Sequence, residues 1–428
     1  MQAIDLSRAT GDWQGEQFAT ENLGIVFWAL SRYEEARACH EKNLALARKV
    51  GNRRGEASAS GNLGIVLWAL GRFEEARAHC EAQLAMATEV GHLHGVLNAT
   101  TNLGLVLSDL GQNENALAHH ERALALACDI GDRRVECLAT GNVGLVLLEL
   151  GRYEDGRAHH ERAITLAREN GHRYGEMIAN GNLGNAFVAL GRFEDALVHQ
   201  ERHLALAREI GHRHGQAIAL IGLGHLNLSC GDLIRARGEL DTARVLCIEM
   251  GTRWLQGCAL QELAQVDARG GDDGAAECLY REALVLFREA GFLRGVCKTI
   301  VALGGLLGDQ GRVEEARSSL AEGRILARQM AFATEAVLAS ARMALLPGGD
   351  VAEAVADFVA QESRLDYVSK MEVRFLLWKA TGDWSHFEAA HQLLIYLRDH
   401  APPEYRESMI ERVPLYRDIQ AAWEAQGR

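Results

Sequence analysis

The chain has 428 residues, 48% of them apolar and 24% charged, enough for two or three ordinary domains or for one long repeat array. Its 45 basic and 58 acidic residues give a net charge of −13, which argues against sequence-independent nucleic-acid binding and against docking on an anionic membrane. No stretch reaches the roughly 18 apolar residues of a bilayer span, and the opening MQAIDLSRAT lacks the layout of a secretory leader.

Residues 1–10 read as the end of a second helix, because Ile4 matches Leu124 and Leu6 matches Leu126 in a register set further along. The chain then opens inside a repeat without a polar cap, which solenoids need. Two readings follow: a segment of a longer protein, or an open end that self-associates with another chain.

From Gly11 a strict repeat begins. Gly11, Gly51, Gly91, Gly131, Gly171, Gly211, Gly251 and Gly291 fall 40 residues apart. A second glycine series runs from Gly24 to Gly304, with Ala264 in one slot, and a third from Gly71 to Gly311. Eight units therefore span 11–330 without insertion or deletion. Unit two shows the pattern: Gly55 to Leu70 predicts a first helix, with Leu63, Val66, Leu67 and Leu70 at helical spacing, and Phe73 to Val90 a second. Gly71-Arg72 marks the turn between them, and Gly91 is a left-handed stop. Gly64 lies mid-helix at a cost of about 1 kcal/mol relative to alanine, and close helix approach is the simplest reason for it. All four prolines lie beyond residue 346, as a continuous solenoid requires, with a boundary near Pro347.

The pattern resembles tetratricopeptide repeats. Leu23-Gly24-x2-Phe27 precedes Arg32-Tyr33-Glu34-Glu35-Ala36, and Leu183-Gly184-x2-Phe187 precedes Gly191-Arg192-Phe193-Glu194-Asp195-Ala196. Three departures stand out: Thr20, Ser60, Thr100, Thr140 and Asn180 fill the tryptophan slot, the closing proline is missing, and the period is 40. Forty-residue units of this kind are similar to those of Pins/LGN adaptors and kinesin light chains. The resemblance implies an all-α fold, a right-handed superhelical α-solenoid of helix-turn-helix repeats, and a non-catalytic scaffold holding a protein or peptide in its concave groove.

Residues 331–428 leave the register. Helical patterns run at 331–346, 350–362, 365–380, 384–400 and 403–411, and Ala380-Thr381-Gly382-Asp383-Trp384 echoes Ala9-Thr10-Gly11-Asp12-Trp13. We read them as degenerate repeats and a C-terminal cap. The run around Trp378, with Pro402 and Pro414, resembles the tail of large bacterial serine/threonine kinases, which implies a second role as the sensor arm of a larger kinase or ATPase. Arginine-, alanine- and glycine-rich usage fits a high-GC bacterial source.

One side-chain series suggests binding. Asn22, Asn62, Asn102, Asn142 and Asn182 occupy one position of the first helix. Asparagine is a mediocre helix former, but its amide both donates and accepts, as an extended peptide backbone requires. Ile25, Ile65 and Leu105 lie three residues on, and Trp28 and Trp68 six. That makes a polar ladder beside an apolar floor. The competing reading has the asparagines bond to each other or to neighbouring backbones. The series stops at Gly222, so the groove should weaken past unit five.

The other series read as structural. His40, His120 and His160 fall in a packing slot, while His79, His119, His159 and His199 are spaced too widely for one zinc ion, so no metal or cofactor is expected. The nine cysteines form no C-x-x-C and read as reduced core thiols of a cytoplasmic protein. Arg37/Glu41, Arg77/Glu81 and Arg157/Glu161 are surface pairs. Arg53-Arg54, Arg133-Arg134, Arg173 and Arg213 suit either an acidic ligand or helix C-terminal charge compensation. No nucleophile elbow, zinc motif or phosphate loop is present, so no catalytic residue is expected.

Overall fold

A computed structural model describes residues 10–30 and 32–425, so the reading of residues 1–9 lies outside it. The described residues form 22 α-helices and one short 3-10 turn, Glu362–Arg364. In unit two the first helix is Arg53–Ala69 and the second Phe73–Glu89; the other seven units repeat these bounds within a residue. Asp12, Asn52 and Asp132 cap first helices, their side chains accepting N–H bonds from the first turn at 2.9–3.2 Å. Gly51 and Gly91 leave the second helices at φ +68° and +65°. Ala331 holds the same slot at φ +56°, the one non-glycine in the left-handed region among the described residues.

The mid-helix glycines make room for a side chain from the second helix of the same unit. A methyl added at Gly104 would lie 2.5 Å from Cε1 of His120, and one at Gly24 equally close to His40. Cys80, Gln200, Leu240 and Leu320 fill the same place beside Gly64, Gly184, Gly224 and Gly304. The helices do approach closely, and the reason is the bulk they enclose.

Beyond unit eight come helices Ala333–Ala344, Val351–Gln361, Tyr367–Thr381, Trp384–Asp399, Ser408–Arg412 and Pro414–Ala425. The expected 403–411 pattern yields only one short helix, and the final helix was unforeseen. Its proline stands at the first helical position, where no N–H is needed.

The stack winds back on itself. The indole of Trp254 donates to the Ala69 carbonyl at 2.8 Å, Tyr153 to the Arg364 carbonyl at 2.7 Å, and the Glu194 N–H to the His400 carbonyl at 2.9 Å. Arg235 reaches the Tyr405 hydroxyl at 2.7 Å. Tyr153 and Arg364 are 211 residues apart, a little over five 40-residue units. The second superhelical turn thus rests on the inter-helix turns of units two to six. One apolar cluster joins Phe187, Phe193 and Cys230 of the first turn to Phe375, Leu397 and Tyr416 of the second.

Candidate functional site: the inner face of the superhelix

The first helices carry the ladder. Asn22 is exposed, and Asn62, Asn102, Asn142 and Asn182 are half-buried. The Asn62 amide lies 3.5 Å from the Glu21 carboxylate, at the limit of a hydrogen bond. Among the described residues, Asn22, Asn102, Asn142 and Asn182 have no side-chain hydrogen bond. The neighbouring polar slot behaves differently. Thr100, Thr140 and Asn180 are buried, and each donates to the carbonyl four residues back at 2.7–2.8 Å.

The ladder's surroundings follow from the register. Where contacts across three successive first helices are explicit, they join a residue of one unit, the ladder position of the next, and a residue of the third. His225, Glu262 and Lys298 make such a row, with Glu262 receiving His225 at 2.9 Å and Lys298 at 3.0 Å. The same register gives Ile65, Asn102 and Leu138, then Leu105, Asn142 and Ile178, then Leu145, Asn182 and Ile218. All six apolar residues in these three rows are half-buried. Each of these amides therefore has apolar flanks that offer it no partner.

The remaining candidates divide. Ile25 is 48% exposed, and Ile65 and Leu105 are half-buried on the same strip. Trp28 packs against the Tyr33 ring at 5.0 Å, and Trp68 packs between units while its indole donates to Asp109 at 2.6 Å. Both tryptophans thus make their contacts within the stack and border the strip.

Past Gly222 the ladder position holds Glu262, Ala302 and Arg342, two charges the sequence reading missed. Glu262 and Arg342 stand 80 residues apart in register with the asparagines, and that spacing was the available signal. Burial raises the Glu262 carboxyl, but Lys298 and His225 outweigh it and hold it well below the usual range. Arg342 pairs with Glu372 at 2.6 Å. Nearer the seam, Arg294 of unit eight reaches Glu149 of unit four and lies 4.6 Å over the Phe332 ring. Burial pushes the Asp109 carboxyl up to about 6.

Arg53, Arg133, Arg173 and Arg213 at the inter-unit turns are paired with carboxylates. Glu176 has a side chain only 3% exposed and meets Arg168, Arg173 and Arg202 at 3.0–3.1 Å. Glu56 and Glu136 hold Arg53 and Arg133 likewise at 2.9 and 2.7 Å. This glutamate series, buried at Glu136 and Glu176 and half-buried at Glu56, was not foreseen.

His40, His120 and His160 are buried, and burial depresses them to about 4, about 4 and about 3. His199 bonds Asn180 at 2.9 Å. Among the described residues no three His, Cys, Asp or Glu side chains are grouped to hold a metal ion.

The tetratricopeptide-repeat family model matches residues 16–78, 55–129 and 135–209. Those three stretches are tetratricopeptide repeats. The chain's repeats share their fold with solved structures at low identity. The Rap conjugation gene regulator of plasmid pLS20, in complex with the Phr* peptide, matches at TM-score 0.55 and 14% identity over 82% of this chain and 98% of its own. NprR in complex with its cognate peptide NprX matches at 0.55 and 15% over 77% and 97%. A Rap protein complexed with Competence and Sporulation Factor matches at 0.50 and 12% over 93% and 99%. No curated protein matches the sequence. The α-solenoid of tetratricopeptide repeats expected from the glycine register is the architecture found.

Proposed function

We propose that this protein is a non-catalytic scaffold that binds an extended peptide along the inner face of its first superhelical turn. The carrying observation is the row of half-buried amides without partners at Asn102, Asn142 and Asn182. An unpaired amide between apolar neighbours suits a backbone that brings both a carbonyl and an N–H. Asn22, Asn62, Ile25, Ile65 and Leu105 extend the strip, and Trp28 and Trp68 border it. The three similar structures carry peptides or a factor by their own descriptions, which agrees with this reading. Successive units stand about 8–10 Å apart, so Asn62 to Asn182 spans roughly 25–30 Å. An extended peptide of about eight or nine residues covers that length.

We assign the repeats to 11–330 and a cap of degenerate repeats to 331–428. The net charge of −13 disfavours nucleic acid and anionic membranes as partners. Among the described residues no helix is long and apolar enough to cross a membrane. Nine free cysteines, five of them buried, suit a reducing cytoplasm. A role as the sensor arm of a larger signalling enzyme keeps the same peptide site and adds catalysis elsewhere in the reading frame.

The test is selection from a library of unstructured ten-residue peptides. Wild type is compared with Asn62→Ala/Asn102→Ala/Asn142→Ala, each first shown equally helical by circular dichroism. Loss of three hydrogen bonds of about 1 kcal/mol predicts an affinity roughly 100-fold weaker. Peptides that bind both proteins equally would remove the amide row from the site.

A further inference from the structure

Where unit one meets unit six, the seam between turns is built of rings. Tyr33 stands edge-on to His214 at 6.2 Å, His214 lies 6.1 Å from Trp254, and Trp254 lies 5.4 Å from Phe292, which packs 6.0 Å from Phe73. Tyr33 and Phe73 belong to the first turn, Trp254 and Phe292 to the second. His214 is 9% exposed, and its Nε2 has no hydrogen-bond partner. We propose that His214 makes this stretch of the seam an acid-sensitive catch. On taking up a proton it frees unit one from unit six while the helices stay folded and the rest of the seam stays closed.

Burial is the first thing that opposes protonation of this imidazole, and two neighbouring histidines add to it. On its own helix start lies His212, 6.2 Å away, and the second helix of unit five presents His203. Unit one contributes the Tyr33 ring and unit seven the Trp254 ring. Among the described residues, no carboxylate acts on it. A cation formed there is desolvated and uncompensated, and the relief is exposure to water. His212 adds to this: its Nδ1 accepts the Gly215 N–H at 3.0 Å as the cap of helix Arg213–Ser229. Protonated Nδ1 cannot accept, so acid also loosens the turn that carries His214.

Burial holds His214 down to about 4 in the closed form, against 6.5 for a free imidazole. The closed seam is therefore fully favoured above pH 6.5 and weakens as pH falls toward 4. At pH 5 the open-to-closed ratio rises roughly 30-fold from this group alone. Asp109 takes up a proton in the same range, but it sits in unit three, and a change at His214 leaves it in place.

The experiment is small-angle scattering of the full chain at pH 7.5, 6.0 and 5.0, with far-ultraviolet circular dichroism on the same samples. Wild type is expected to expand at pH 5.0 with its helical signal unchanged. His214→Phe keeps a ring but cannot titrate, and it is expected to stay compact. His214→Leu serves in its place if the phenylalanine variant lacks full helicity at pH 7.5. The proposal is overturned if the non-titrating variant expands as wild type does. It is equally overturned if wild type expands only as its helices melt.

Discussion

The two superhelical turns use one ladder position in opposite ways. In the first turn it holds Asn102, Asn142 and Asn182, each without a hydrogen-bond partner among the described residues and flanked by apolar side chains. In the second it holds Glu262 and Arg342, bonded by Lys298, His225 and Glu372. A satisfied ionic row stabilises its own stack and leaves little for a ligand. An amide row with no partner in the fold leaves its bonds for the peptide we propose there. Under that proposal, equivalent positions in one array separate stability from recognition.

The seam that joins the turns should be the most sensitive place to break the comparison. Gly151 lies at φ +78°, and an added methyl would stand 2.5 Å from the Arg364 Cα in the second turn. Gly171 has φ +60° with nothing near it. Gly151→Ala combines left-handed strain with a backbone collision, so a loss of about 3 kcal/mol or more is expected. Gly171→Ala keeps only the strain, about 1 kcal/mol. Urea unfolding of both variants checks the difference, and equal losses would mean that the turns are not in register as described.

Next comes the ionic row. Glu262→Gln keeps the shape but leaves Lys298 without its counter-charge and weakens the bond to His225. Both partners are about 40% exposed, so water screens part of the loss, and about 2 kcal/mol is expected. The Glu262 carboxyl is held low, so its contribution is present above the unfolded carboxylate range and fades as pH falls below it. At pH 7 the full loss should appear in thermal or urea unfolding.

The buried histidines set an acid limit within the units themselves. His160 is held near 3 in the fold against 6.5 unfolded, so it is neutral and costs nothing at pH 7. The unfolded chain takes up its proton first, and stability falls as pH drops from 6.5 toward 3. Between pH 7 and pH 5 this one group accounts for about 2 kcal/mol. His160→Gln copies unit five, where Gln200 fills the same slot beside Gly184. Its stability should vary less over that range by the same amount, as read from urea midpoints at the two pH values.

The sequence made the fold readable because its period never slips. Caps, stops and turns recur at one phase, so helix bounds followed to within a residue or two. The ladder was legible for the same reason. The seam was not, because its partners sit 170–211 residues apart and meet only after small rotations accumulate over about five units. Glu56, Glu136 and Glu176 were legible and unread: attention went to the arginines, whose acidic partners lie in the same register. No helix was expected beyond 411, yet Pro414 starts one, at the position where its missing N–H costs nothing.

The smallest effect on stability is the sharpest test of the ladder. Asn142 lies mid-helix and has no partner, so Asn142→Ala removes nothing that the folded chain uses. Alanine is the better helix former by about 0.7 kcal/mol, and the variant should be unchanged or slightly more stable in urea. Thr140, two residues away, is buried and donates to the Glu136 carbonyl at 2.7 Å, so Thr140→Ala leaves a small void in the stack and should lower stability by about 1 kcal/mol. Opposite signs for two neighbours on one helix are what a row set aside for a ligand predicts. A clear loss for Asn142→Ala would mean that the amide holds the repeats together, and the strip would then belong to the stack.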